Sequence, residues 1–256
     1  MNPLRRLIER RTFQTSFGEA RCFITCDSLG NYVRVLSLDG TYQSATYLDD
    51  NWSSPPFAYI LAFDCMYEAA DDGLEIDEVL MIGGGCFSYP KHFLTHSSSA
   101  RMDVVEIDPV IVQIARERFY LDRLEAYLDA RNEQDRMNIW VADGVQVIRE
   151  VPDQCYDVVI NDSFEGCNAS KAFLEKESIK QIDRILRPKG LYMTNLVVKQ
   201  PRGDSRELLT FTEALRSVFA HVHIIDASDQ EFGGAENYIV IGTNGEYRFS
   251  NTIELG

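Results

Sequence analysis

Residues Val79-Leu80-Met81-Ile82-Gly83-Gly84-Gly85 carry a buried-strand pattern directly into three glycines. About twenty residues on, a second apolar run ends Val104-Val105-Glu106-Ile107-Asp108. A strand that feeds a glycine turn lets a nucleoside approach the backbone without Cβ interference. An acid at the tip of the next strand can then accept hydrogen bonds from both ribose hydroxyls. The pair predicts an adenosine-containing cofactor, with Gly83, Gly84, Gly85, Glu106 and Ile107 as its contacts. The bland alternative for the glycines is a tight turn and nothing more.

Working outward from residue 75, strand and helix patterns alternate. Strands are predicted at Glu78–Ile82, Met102–Ile107, Asn138–Val141, Val158–Asn161, Leu191–Leu196, His221–Ile225 and Tyr238–Gly242. Helices are predicted at Pro90–His96, Pro109–Phe119, Gly144–Glu150, Ala172–Leu186 and Arg206–Phe219, with an extra one in Asp122–Asn132. Such alternation gives an α/β fold with a doubly wound, mostly parallel, seven-stranded Rossmann-like sheet. Before it, residues 12–47 read as a β-meander, with turns at Ser28–Asn31 and Leu38–Thr41. The polar loop Asp49–Pro56 is expected to cap a helix over Phe57–Ala70. This divides the chain into a β-rich unit, 1–56, and a nucleoside-binding unit, 57–256.

Ligands of such sheets bind at the carboxyl ends of the strands. There the sequence places the glycines, Glu106, Asp108, Asp143-Gly144, Asp162 and Asn195. Asp108 precedes Pro109 and suits a helix N-cap as well as a ligand contact. Asp143 can cap the next helix or meet an adenine amino group. Asp162 differs, because it follows the wholly apolar run Val158-Val159-Ile160 and lies in the cleft. An acid in that setting can orient or deprotonate a nucleophile that attacks the cofactor.

Composition narrows the partners. The 256 residues carry a formal charge of −15, and the sequence pI is about 4.7. That surface repels phosphate backbones, so no nucleic-acid partner is expected. The best basic cluster, Arg5, Arg6, Arg10 and Arg11, reads as a solvated N-terminal face. No apolar run reaches bilayer length, and MNPLRRLIERRTF lacks the apolar core of a secretory signal. A cytoplasmic protein without membrane contact is expected. The six cysteines (22, 26, 65, 86, 155, 167) are dispersed, and no second pair joins Cys22 and Cys26 in a zinc site, so no metal is expected. The exposed edges of a short meander predict a homodimer.

Several ordered motifs over about residues 30–200 resemble the spermidine synthase (polyamine aminopropyltransferase) family, on a class I methyltransferase-like fold. Val35–Gln43 is similar to its "VLxLDGxxQ" strand, and Phe57-Ala58-Tyr59 to the start of its "DEFxYHEM" helix. Gly83–Gly85 matches the start of "GGGDGG", Val105–Asp108 matches "VEID", and Asp143-Gly144 matches "GDG". Asp162-Ser163 matches the start of "DSSDP", with Pro188–Leu191 like "LKPGGIL". The resemblance implies a small-molecule amine acceptor and decarboxylated S-adenosylmethionine as co-substrate. Glu106 would then hold the ribose, Asp143 and Gly144 the adenine side, and Gln43 the methylthio or ribose end. Asp162 would be the catalytic acid/base, with Tyr59, Cys86, Glu165 and Asn195 at substrate-contact positions.

The departures from the family matter. Cys86 stands where the family has an aspartate that meets the aminopropyl ammonium, and Phe87 and Ser88 replace two glycines. Glu165 falls opposite the second aspartate of "DSSDP", Ile60 and Leu61 replace the His and Glu of "YHEM", and Asn195 replaces a glutamine. A neutral residue 86 does not repel a cofactor carboxylate. A second expectation is therefore methyl or aminocarboxypropyl transfer from intact S-adenosylmethionine to a non-polyamine small molecule. A third is a non-catalytic nucleoside-binding homologue, against which the joint presence of Glu106, Asp143 and Asp162 argues.

Overall fold

In the computed structural model the described residues are 10–38, 40–97, 99–165, 168–198, 206–228 and 236–254, so Asp39, Cys167, Arg5 and Arg6 lie outside them. Four antiparallel strands in the order β1-β2-β3-β4 form the first sheet: β1 (Arg11–Thr15), β2 (Gly18–Cys26), β3 (Tyr32–Leu38) and β4 (Thr41–Tyr47). The register slips once: Leu36 faces Ser44 and Ser37 faces Tyr42, which leaves Gln43 as the extra residue of a β-bulge.

The predicted helix Phe57–Ala70 is corrected. It is broken into α1 (Ala58–Leu61), a 3-10 turn (Ala62–Cys65) and α2 (Met66–Asp71). Phe57 takes the N-cap position with no side-chain cap, so neither the loop's polar residues nor its prolines begin the helix as expected. The apolar stripe nevertheless faces inward, with Ile60, Phe63 and Met66 buried.

The large sheet has the order β12-β13-β11-β8-β5-β6-β7. Its strands are β5 (Glu78–Ile82), β6 (Arg101–Glu106), β7 (Met137–Val141), β8 (Tyr156–Asn161), β11 (Leu186–Val198), β12 (His221–Asp226) and β13 (Glu236–Thr243). Pairings among β11, β8, β5, β6 and β7 are parallel, and β13 runs antiparallel to both its neighbours. β11 starts five residues before the prediction, because Pro188-Lys189-Gly190 forms an irregularity inside the strand rather than a boundary before it. A small hairpin, β9 (Phe164–Glu165) and β10 (Asn168–Ala169), stands beyond β8.

Helices α3 (Ser88–His96), α4 (Pro109–Arg118), α5 (Leu121–Asp129), α6 (Gly144–Glu150) and α9 (Arg206–Arg216) lie near their predicted places. The predicted Ala172–Leu186 helix is two, α7 (Lys171–Leu174) and α8 (Lys176–Ile185), because Glu175 is extended between them. Two apolar clusters flank the large sheet. One is continuous from Val33 and Val35 of the small sheet through Phe63, Met81 and Phe93. The other joins Leu80, Ile148, Ile182 and Phe211 on the opposite face. Among the described residues no helix is long and apolar enough to cross a membrane.

Candidate functional site

A cavity of about 320 Å³ opens where β5, β6, β7 and β8 end, with part of its wall supplied by β3, β4 and α1. Gly83 and Gly85 both have positive φ, at +90° and +49°. A Cβ on Gly83 would lie 2.4 Å from the Asp162 carbonyl oxygen, so this glycine lets the tips of β5 and β8 close on each other. A Cβ on Gly85 would come within 2.9 Å of Ser44 Oγ. The same Oγ accepts the Cys86 N–H at 3.0 Å, which locks the glycine turn to β4.

Glu106 is held at this turn. One carboxylate oxygen accepts the Gly85 N–H at 2.8 Å and the other the Asp108 N–H at 3.0 Å. Burial raises its pKa, opposed by these two backbone bonds. Two carboxylate oxygens offer about four acceptor sites, more than these backbone bonds use. Ile107 lines the cavity while half exposed. Asp143 also lines it, and its Oδ1 accepts the Val145 N–H at 2.8 Å as the cap of α6. Gly144 beside it leaves no room for a Cβ, which would meet Ile82 at 2.6 Å and Phe173 at 3.0 Å.

Across the turn stands Asp162. Its Oδ1 accepts one hydrogen bond, from Asn195 Nδ2 at 2.8 Å. Burial pushes its carboxyl up to about 7, against the opposing pull of that bond. Tyr59 shares the wall; burial first and then the Asp162 charge push its phenol well above the usual range. Gln43 and Ser44, consecutive in sequence, both line the cavity because the bulge turns them to one side.

Thus Gln43, Tyr59, Gly83, Gly84, Gly85, Glu106, Ile107, Asp143, Gly144 and Asp162 all line one cavity. Two expectations shift. Cys86 is corrected: it is fully buried, belongs to the core rather than the cavity wall, and burial pushes its thiol far up. The left-handed Phe87 that follows it, φ 59°, buries its ring completely in the same core. Asn195 is also enclosed and off the wall; it meets Asp162 instead of a cavity surface. The backbone of Glu165 sits in β9, and the expectation for its side chain lies outside what is described.

Other residues of the wall were not expected. Thr15 and Phe17 reach it from the β1–β2 turn, where Ser16 N–H donates to Asp108 Oδ2 at 2.6 Å. Asp108 thereby holds that turn while its Oδ1 caps α4 through the Val110 N–H. Ser44, Ser88 and Tyr89 line the side near the buried Cys86. The bulge and contacts over 42 and 92 residues bring Ser44, Thr15 and Phe17 there, and neither leaves a local sequence signal.

A sequence profile of the spermine/spermidine synthase domain matches residues 68–231. The chain belongs to this family. The spermidine synthase 1 of Hyoscyamus niger is 32% identical over 165 residues, covering 63% of this chain and 44% of that protein. The chain therefore spans less than half the length of that curated relative. Among solved structures, a probable spermidine synthase from Corynebacterium glutamicum superposes with a TM-score of 0.76 at 23% identity, covering 94% of this chain and 82% of that one. Human methyltransferase-like protein 13 in complex with SAH gives 0.58 at 22% identity, covering 77% and 85%. Both establish the fold of this spermidine synthase family member as methyltransferase-like.

Proposed function

We propose that the chain is an aminopropyltransferase that moves the aminopropyl group of decarboxylated S-adenosylmethionine to a small amine. One observation carries this: Asp162, a partly buried carboxyl that desolvation raises to about 7, faces the same cavity as the glycine turn and Glu106. Glu106 would take the ribose hydroxyls on its remaining acceptor sites, and Ile107, Asp143 and Gly144 would border the adenine. Gln43 would approach the sulfur end, with Tyr59 beside the acceptor. The fit is good, because Gly83 and Gly85 sit where any Cβ would fill the turn.

The acceptor's ammonium gives a proton to ionised Asp162. The freed nitrogen then attacks the carbon bonded to the sulfonium. The C–S bond breaks with its electron pair returning to sulfur, and methylthioadenosine leaves. Asp162 is suited to this as a base near its own pKa, and Asn195 orients it. Mixing the protein with decarboxylated S-adenosylmethionine and an amine should release methylthioadenosine; no release with any primary amine would overturn the proposal.

A second proposal is transfer from intact S-adenosylmethionine, favoured by the burial of Cys86. The wall at that place presents the neutral Ser44, Ser88 and Tyr89, which do not repel a carboxylate. Turnover with the intact form alone would select it. We further propose that the protein works in the cytosol as a homodimer. Its small sheet would pair through an edge strand, β1 or β4. Residues 1–56 and 57–256 are proposed as its two domains. A monomer by light scattering would contradict the dimer.

A further inference from the structure

We infer that Phe17, at the tip of the β1–β2 hairpin, takes the flat face of the nucleobase together with Ile107, and that Asp108 positions it. The inference rests on the reading of the cavity as a nucleoside site and adds to it a contact from the small sheet.

Phe17 is 40% exposed and Ile107 50%, and both line the cavity. Other large apolar side chains exposed among the described residues, such as Leu29, Leu209 and Ile253, do not. A scattered apolar side chain on a surface needs no ligand, but two that open into one cavity offer an apolar wall. One bond places them together. Ser16 N–H donates to Asp108 Oδ2 at 2.6 Å, so Phe17 and Ile107, each next to a member of that pair, stand at the same part of the wall. Glu106, the acid that would hold the ribose, directly precedes Ile107. Ile111, in the first turn of α4, lines the cavity as well.

The hairpin tip is tied on both sides of the ring. Thr15 pairs with Gly18, its Oγ–H donates to the Gly18 carbonyl at 2.8 Å, and the same Oγ accepts the Phe17 N–H at 3.2 Å. An aromatic face held in this way loses little freedom on meeting a planar base. Asp108, 1% exposed, divides its two oxygens between two tasks. Oδ1 caps α4 through the Val110 N–H at 2.8 Å, and Oδ2 holds the hairpin. Asp108→Asn therefore isolates the second task. Its amide oxygen still caps the helix, a position that Asn suits well. Its amide nitrogen would meet the Ser16 N–H donor to donor.

The test is calorimetric titration of methylthioadenosine into the parent and variants, with melting temperatures measured alongside. Phe17→Ala should weaken binding about 5–150-fold, the worth of a base stacked on an aromatic side chain. Phe17→Tyr should stay within about threefold of the parent. Phe17→Leu keeps an apolar group without the ring; it should lose about fivefold or more, and it decides the point if the alanine variant is unstable. Asp108→Asn should weaken binding about threefold or more in the parent, and by less than about 1.5-fold when Phe17 is already Ala. The lost charge beside Glu106 is common to both backgrounds and cancels. Full affinity in Phe17→Ala and Phe17→Leu overturns the inference and leaves the nucleoside site standing. Equal losses from Asp108→Asn in both backgrounds overturn the positioning role. No binding by the parent overturns the inference together with the nucleoside reading.

Discussion

Glu106, buried, and Asp162, partly buried, are two carboxyl groups on one cavity, both with pKa values raised by desolvation, yet they are held in opposite ways. Glu106 accepts two backbone N–H groups from residues fixed by the glycine turn and by the start of α4. Asp162 accepts a single bond from a side-chain amide. Backbone donors favour the ionised form and cannot swing away, so the Glu106 end is preorganised to accept further hydrogen bonds. At the Asp162 end desolvation raises the carboxyl to about 7 against one opposing bond. On the proposed reading, binding and proton transfer occupy different ends of one cleft, separated by the width of β5.

The largest expected effect lies at Asp162. Asp162→Asn should lower kcat by about 10²–10⁴-fold, the usual contribution of a general base. In the unaltered protein the rate should rise as pH passes through about 7, where Asp162 ionises, and this limb should vanish in the variant. Stability should move in the opposite sense. A carboxyl whose folded pKa is raised from 3.8 to about 7 binds more protons in the folded state across that window. Its stabilising contribution is therefore complete below pH 3.8 and is lost as pH rises to 7. Asp162→Asn should be more stable than the parent at pH 8, by roughly 4 kcal/mol at most. Denaturant unfolding at pH 5 and pH 8 would measure it, and an equal difference at both values would refute the assignment.

The next effect tests the hinge between the two ends. Gly83→Ala adds a methyl 2.4 Å from the Asp162 carbonyl at a residue with φ +90°. A loss of about 1–3 kcal/mol is expected, seen as a melting temperature lowered by several degrees. The smallest effect lies behind the wall. Asp64 accepts Tyr89 Oη–H at 3.2 Å and meets His92 Nε2 at 2.7 Å, which ties the segment after α1 to α3. Asp64→Asn should cost about 1 kcal/mol of stability. It should leave nucleoside affinity unchanged by calorimetry, because no part of it reaches the Glu106 end.

The two ends also differ in how far the sequence disclosed them. Gly83–Gly85, Glu106, Asp143 and Asp162 were legible because each sits at a strand tip, and strand-to-helix alternation alone marks those tips. Their surroundings were not legible. Cys86 follows the glycines directly, yet the left-handed Phe87 buries its own ring and Cys86 lies beside it in the core. Gln43 and Ser44 share a side only because a bulge interrupts the period of two on which strand reading depends. Phe17 and Thr15 reach the cavity through a bond between Ser16 and Asp108, 92 residues apart. Helix continuity failed at Glu175, which is extended, and at the 3-10 turn Ala62–Cys65, neither of which the apolar periodicity marks.

The division of labour is tested most directly by calorimetric titration of methylthioadenosine into the parent, Glu106→Gln and Asp162→Asn at pH 7.5. Glu106→Gln should weaken binding by about 10–100-fold, the worth of hydrogen bonds to a charged acceptor. Asp162→Asn should stay within about threefold of the parent. Full affinity in Glu106→Gln, or an equal loss in both variants, would contradict the account.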